Sequence, residues 1–403
     1  MSKALISPQH RLGRRGLVFL LFLLNMTGPM STDLYLSAFP TLVKEFDTTS
    51  AMLNYTLVGF FISFAIGMLF LGPLSDKFGR KPILLSGLFV YGISSILCSL
   101  STSVEMLICC RVLQALGAGG MVSVSTAMVK DSFSDEDRPG IIALLQMLGA
   151  FAPTVAPLIG AQIIHYFSWR LTFDVLAVLA LISFIVSMML TESLKEEDRL
   201  KGNVFDSIIS LKVILINKPF MTFMLSMAGT SLIYMAFLSI SSYIYIQWFG
   251  LSETTYSLFF AVNSLILLIG PRTYIWVRPK LNSKQIIKIS FGLIILSGIM
   301  MLSFGKSSAY LFLIAFAPVT FSNGFLRAFA SNILLGQRDM NSGAVASVIN
   351  FSSTALGSLG MVLGTLGWSS YVEGLGYITL LAMLVSVALW YYFNNKQFNL
   401  RGL

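Results

Sequence analysis

The chain has 403 residues, of which 56% are hydrophobic and 11% charged, with a formal net charge of +9. Soluble globular chains carry roughly 25% charged residues, so no soluble core hides this much apolar surface behind so few charges. Nearly uncharged runs of about 20 residues recur from end to end, the length of a membrane-crossing helix, and a lipid barrel is excluded because its strands would be short and alternating.

In chain order the runs predict twelve spans, at 17–39, 54–74, 83–100, 106–129, 139–164, 170–190, 219–247, 254–277, 285–304, 309–334, 343–366 and 374–393. The basic-then-apolar start "RLGRRGLVFLLFLL" has no small-residue cleavage site after it, so it reads as span 1 rather than a signal peptide. Span 1 holds "GPMSTDLYLSAFP" and with it Asp33. The other acids lie in loops or near helix ends, with Asp174 about one turn into span 6, so Asp33 is the one carboxyl deep in a span. Charge buried in hydrocarbon costs several kcal/mol, which makes such a group a functional candidate by default.

Loop 2–3 carries "GPLSDKFGRKP" (72–82), and "GPRTYIWVRPKLNSKQ" (270–285) occupies the matching place near the end of span 8. Together with six spans on either side of the charged linker 191–218, this weak repeat favours a duplicated transporter with its substrate site between the halves. The predicted units are an N-terminal six-helix bundle (1–190), a cytoplasmic linker (191–218) and a C-terminal six-helix bundle (219–403). Residues 204–216 have helical apolar spacing suited to the membrane surface, while the acidic first part of the linker reads equally well as solvated chain.

Span 4 contains Arg111 in "MLICCRVLQALGAGG", at a depth similar to Asp33. Two readings stand: a proton-coupling carboxyl balanced between burial and a nearby cation, or a permanent Asp33–Arg111 ion pair that fixes packing. Gly117, Gly119 and Gly120 follow without a preceding strand or a P-loop lysine, so they suit close helix contact rather than a nucleotide. Pro153 and Pro157 in span 5 bend that helix or serve as a hinge between halves. Arg327 in span 10 suits packing or snorkelling as well as it suits a substrate contact.

Lys3, Arg11, Arg14, Arg15 and the bases of the even-to-odd loops face Lys44 and Lys306 on the other side, with Arg170 at a span edge. The positive-inside rule then places both termini in the cytoplasm and accounts for the net charge without nucleic acid. Cys98, Cys109 and Cys110 lie in or beside spans and imply no disulfide framework. His10 and His165 fall at opposite faces, and no metal-ligand cluster or phosphate loop is present in the sequence. The expectation is a transporter, not an enzyme, with no cofactor and with an ion gradient as its energy source.

"GPLSDKFGRKP" resembles the loop 2–3 signature of the major facilitator superfamily along Gly72, Asp76, Gly79, Arg80 and Lys81. "RVLQALGAGG" resembles that family's span 4 motif, and "APTVAPLIG" its span 5 antiporter motif, with Ala156 in place of the usual glycine. "STDLYLSAFP" and "FSWRLTF" are similar to the Bcr/CflA drug-resistance group of twelve-span drug:proton antiporters. The resemblance implies an all-α major facilitator fold with two six-helix halves around a central cavity, in the bacterial cytoplasmic (inner) membrane, as a monomer. It also implies proton-coupled export of drug-like lipophilic or cationic small molecules by alternating access. Asp33 would be the protonation site, Arg111 its modulator, and Asp76 with Arg80 a cytoplasmic latch that Asp131 joins. Some multidrug relatives carry a second acid two turns before the aspartate; Asn25 stands there in this chain. Cavity-lining candidates are Asp33, Tyr35, Tyr55, Gln114, Met147, Tyr234, Met235, Asn263, Asn323, Arg327 and Asn350. The alternative is same-fold transport of one metabolite, such as an amino acid, nucleobase or sugar, with Arg327 and the asparagines giving specificity.

Overall fold

The computed structural model describes residues 5–7, 9–134, 136–199, 213–337 and 342–403, which form helices and connections without a strand among the described residues. The helices are α1 (Gly13–Asp33), α2 (Phe39–Glu45), α3 (Ser50–Phe78), α4 (Arg80–Ser99), α5 (Val104–Ser132), α6 (Arg138–Tyr166) and α7 (Trp169–Met188). They continue as α8 (Lys218–Ser242), α9 (Glu253–Val277), α10 (Ser283–Ser303), α11 (Ala309–Leu335), α12 (Ser342–Gly364) and α13 (Tyr371–Asn395). Among the described residues eleven helices are long and apolar enough to cross a membrane; α6, with 29 residues, occupies the place of the remaining predicted span.

Sequence chemistry explains where the spans begin. Ser103, Asn217, Ser252, Asn282 and Ser308 each accept a bond from a backbone N–H three residues on, and Ser168 from one two residues on. These caps satisfy donors that would otherwise be orphaned where a helix enters lipid. Two predicted spans are not simple helices. The first breaks after Asp33, runs through a 3₁₀ turn at Leu36–Ala38 and resumes as α2. The seventh ends in a π-helical stretch, Tyr243–Trp248. Of the predicted surface helix at 204–216, residues 204–212 lie outside the described residues, and 213–216 are helical.

The chain divides into two compact units, Met1–Ala38 with Lys44–Thr48 and Tyr55–Ile208, and Phe39–Val43 with Thr49–Asn54 and Ile209–Leu403. In the first unit α1 packs on α6, and α4 packs on α5 and α7. In the second, α8 packs on α12, and α10 packs on α11 and α13. Counting spans, each contact of the first unit recurs six spans later.

Glycines mark the same repeat at atomic detail. A Cβ on Gly160 of α6 would stand 2.7 Å from the Leu34 carbonyl carbon, and one on Gly360 of α12 would stand 2.8 Å from that of Leu232. Gly119 of α5 lies equally tight against the backbone of α3, and Gly324 of α11 against that of α9. Close backbone approach through small residues replaces the hydrophobic drive that lipid removes.

Candidate functional site

Asp33 is the last residue of α1, where the helix gives way to the turn that carries Tyr35. It is buried, and its carboxylate accepts a 2.9 Å bond from the Thr32 hydroxyl. The same hydroxyl lies 3.0 Å from the Pro29 carbonyl oxygen. One hydroxyl has one proton, so it serves the two acceptors in turn. Pro29 sits inside α1 and lacks the N–H that the Asn25 carbonyl would receive, a source of irregularity four residues before the break. Asn25 itself donates to Leu21 O at 2.8 Å and to Ser125 Oγ at 2.7 Å.

Arg111 and Asp33 form no ion pair; the structure separates the two charges that the sequence set at similar depth. Arg111 is wholly buried among aromatic faces, its guanidinium carbon 4.1 Å from the Phe60 ring centroid, 4.9 Å from that of Tyr35 and 5.7 Å from that of Phe173. Desolvated cation–π contacts of this kind are worth about 2 kcal/mol each. Its Nη1 donates to Gln114 Oε1 at 2.5 Å, whereas Nε and Nη2 find no acceptor among the described residues.

A polar chain leads from there back to α1. Gln114 Nε2 donates to Ser95 Oγ at 2.7 Å, and Ser95 Oγ donates to the Tyr91 carbonyl at 2.7 Å. The Tyr91 hydroxyl lies 2.6 Å from Ser31 Oγ, and Ser31 donates to Thr27 O at 2.5 Å. Arg111 is therefore tied to the residue two before Asp33 through α4, not to the acid itself. Ser31, Tyr91 and Ser95 were missed in the sequence, although Tyr91 and Ser95 have i,i+4 spacing on one helix face.

The loop 2–3 residues assemble tightly. Arg80 Nη1 lies 2.5 Å from Asp76 Oδ1 and Arg80 Nε 2.8 Å from Asp131 Oδ2, and Nη1 also donates to Ser75 Oγ at 2.7 Å. Gly72 sits on α3 against Ser123 of α5. Glu192, which the sequence left among the linker acids, accepts from the backbone N–H groups of Arg80 at 3.0 Å and Lys81 at 3.1 Å. It thereby caps α4, where carboxylate and helix dipole attract. Gly79 precedes that cap with φ +100°, and a Cβ there would sit 2.6 Å from Glu192 Oε2, so glycine is required twice over. Lys81 Nζ donates to Met188 O at 2.8 Å.

The remaining candidates scatter. Tyr35 is buried, its hydroxyl 2.9 Å from Thr56 Oγ1, and Gln114 is committed to the chain just described. Tyr55 and Asn350 are exposed. The side chain of Met147 lies outside the described residues. Pro153 and Pro157 stay within one continuous helix, α6. In the second unit, Tyr234 packs near Phe237 and Met235 against Gly357 of α12. Asn263 Oδ1 accepts from Thr320 Oγ1 at 2.7 Å, while Asn263 Nδ2 and Asn323 Oδ1 are buried with no hydrogen-bond partner among the described residues. Arg327 lines a cavity within this unit. Among the described residues no group of acids, histidines or cysteines is arranged to hold a metal ion.

Comparison with known proteins agrees with this architecture. The chain is similar to the multidrug transporter MdfA of Yersinia pestis, 30% identical over 90% of this chain and 88% of the relative. It is also similar to the bicyclomycin resistance protein homolog of Haemophilus influenzae, 27% identical over 70% of this chain and 71% of the relative. Its fold matches the crystal structure of a bacterial homolog to the human lysosomal transporter Spinster, with a TM-score of 0.74 at 13% identity over 96% of this chain and 97% of that one. The Major Facilitator Superfamily model matches residues 21–365, a range that takes in the broken first helix, the Arg80 cluster and both repeats. The chain belongs to the Major Facilitator Superfamily and is a secondary transporter, not an enzyme.

Proposed function

We propose that this protein is a proton-coupled antiporter that exports drug-like lipophilic or cationic small molecules by alternating access. The observation that carries the reading is Asp33, a buried carboxyl at a helix break inside a span, without a cation beside it among the described residues. An unpaired carboxylate in that setting is relieved either by a proton or by a positively charged substrate. Thr32 suits both states. With Asp33 ionised, the hydroxyl donates to it; with Asp33 protonated, the acid donates to Thr32, which donates to Pro29 O. Competition of proton and cation for one group is the elementary step of antiport. The names of the two relatives, a multidrug transporter and a resistance protein homolog, support the substrate class.

In this reading the protein works as a monomer in the bacterial inner membrane, both termini cytoplasmic, with the proton gradient in place of a bound cofactor. The Arg80–Asp76–Asp131 cluster is the cytoplasmic latch and α6 the hinge or seal. The test is solute-dependent proton movement in proteoliposomes with a panel of lipophilic cations, for wild type and Asp33→Asn. Loss of the coupled proton flux in the variant is expected, and undiminished proton-coupled efflux by Asp33→Asn refutes the mechanism.

A second reading, uptake or export of one polar metabolite, is favoured by Arg327 and by the unsatisfied amide atoms of Asn263 and Asn323. Saturable transport of a single amino acid, nucleobase or sugar, with no response to lipophilic cations, is the outcome that selects it.

A further inference from the structure

The second unit contains a cation, Arg327, with no acid beside it among the described residues; its electrostatic neighbour is the Tyr234 side chain. Arg327 lies on α11 inside a membrane-spanning stretch, yet it makes no hydrogen bond, ion pair or aromatic contact among the described residues. It is exposed, and it lines a cavity of about 30 Å³ between α8, α11 and α12. A volume of that order holds about one or two waters or a group of carboxylate size, not a whole drug molecule. Three hydroxyls on the same wall, Ser231, Ser331 and Ser353, are also without hydrogen-bond partners among the described residues. Met224 and Met227 complete the wall with soft, adaptable apolar surface.

The lining is organised by helix periodicity. Thr320, Asn323, Arg327 and Ser331 recur along one face of α11, and Met224, Met227 and Ser231 along one face of α8. A guanidinium with free donors, flanked by free hydroxyls and walled by methionine, is the donor set that recognises a planar anion by charge-assisted bonds. Snorkelling does not describe it, because the side chain lines a cleft shared by α8, α11 and α12 instead of running along one helix face to the membrane surface. Packing does not describe it either, since a structural arginine makes the contacts that Arg111 makes and Arg327 does not.

We propose that this cavity is a binding subsite for the anionic head of an organic acid, a carboxylate above all, whose apolar body lies along the methionine wall. The subsite extends the ligand range from lipophilic cations to amphipathic acids and zwitterions. It rests on the transport reading only for its physiological use, because binding is measured without a gradient and does not involve Asp33. A lipid phosphate has the same anionic chemistry, so the test separates the two sources.

The experiment is scintillation-proximity binding of radiolabelled salicylate to the purified full-length protein in neutral detergent, competed by unlabelled salicylate, by its neutral analogue salicylamide, and by phosphatidylglycerol. Wild type is expected to prefer salicylate over salicylamide by at least about tenfold, since a site built for a charged head leaves its donors unpaired with the amide. Arg327→Gln is expected to reduce that preference to about twofold or less, and Arg327→Lys to keep part of it. Ser231→Asp, which sets a carboxylate against the same cavity, is expected to abolish it with the arginine still in place. Equal binding of salicylate and salicylamide by wild type overturns the proposal, as does unchanged preference in Arg327→Gln or Ser231→Asp. Displacement by phosphatidylglycerol without any salicylate preference assigns the cavity to a lipid headgroup and overturns it too. Should Arg327→Gln fail to purify, the wild-type preference and Ser231→Asp decide between these outcomes.

Discussion

Gly160→Ala puts the packing beside Asp33 under direct test. In wild type α6 passes so close to the break after Asp33 that a methyl group at position 160 would stand 2.7 Å from the Leu34 carbonyl carbon and 2.9 Å from its Cα. Carbon atoms in contact prefer about 3.5–4.0 Å, so the shortfall is about 1 Å and it is met by backbone, not by a side chain that can turn away. Overpacking of this kind costs about 1–3 kcal/mol. For a unit of this size that lowers the melting temperature by about 2–4 °C per kcal/mol. Gly360→Ala makes the same intrusion against Leu232 in the second unit, 2.8 Å from the carbonyl carbon, and serves as the stability match. Gly292 of α10 is exposed and a Cβ there meets nothing, so Gly292→Ala is expected to be neutral or stabilising, by about 0.5–1 kcal/mol. The assay is thermal unfolding in detergent followed by proton-coupled transport in proteoliposomes. Gly160→Ala is expected to fall in both, because moving the Asp33 corner by about 1 Å disturbs the reacting geometry, an effect that reaches about 100-fold in well-aligned sites. Wild-type melting together with wild-type transport in Gly160→Ala would refute the reasoning.

Two further outcomes follow from the Arg80 cluster. Glu192→Ala removes the cap of α4 and is expected to cost about 1–2 kcal/mol, read as a lower melting temperature, while Glu192→Gln keeps an acceptor and loses less; equal melting of both variants and wild type counts against the cap. Arg80→Lys keeps the charge but cannot serve Asp76, Asp131 and Ser75 from one planar fork, so transport is expected to fall well below wild type in a protein that still purifies folded. Full transport by Arg80→Lys would show that charge alone suffices there.

The sequence revealed charge more readily than contact. Asp33 stood out because a lone acid in an apolar run is visible by counting, and the loop 2–3 cluster because its residues are neighbours in the chain. The partner of Arg111 was not visible in the same way. Its environment comes from Phe60 on α3, Tyr35 in the break and Phe173 on α7, three residues brought together only by helix packing. Aromatic rings in an apolar chain carry no mark that says which will face a cation, so the sequence offered Asp33 instead. Glu192 was visible as an acid but not as a cap, since the donors it meets lie more than a hundred residues away. The break after Asp33 was likewise hidden, because Pro29 signals an irregular helix without saying where it parts.

The repeat explains how the two units differ in charge at an equivalent position on one scaffold. Gly160 meets Leu34 and Gly360 meets Leu232, so these leucines are equivalent positions in the repeat. The residue before each is then equivalent as well: Asp33 in the first unit, Ser231 in the second. Asp33 is an acid with no cation beside it among the described residues, whereas Ser231 is a neutral hydroxyl in a cavity shared with Arg327. The arginines do not occupy equivalent positions of the repeat. Arg111 precedes Gly119 by two turns and is closed in by aromatic rings, while Arg327 follows Gly324 by less than one turn and lies open. Backbone contacts have kept their places because a methyl group anywhere along them displaces a whole helix. Side chains facing the spaces between helices are free of that constraint, so the halves could diverge in charge without diverging in fold. Each unit then offers its own chemistry at that position, a carboxyl in the first and a hydroxyl beside Arg327 in the second, on the same helix contacts.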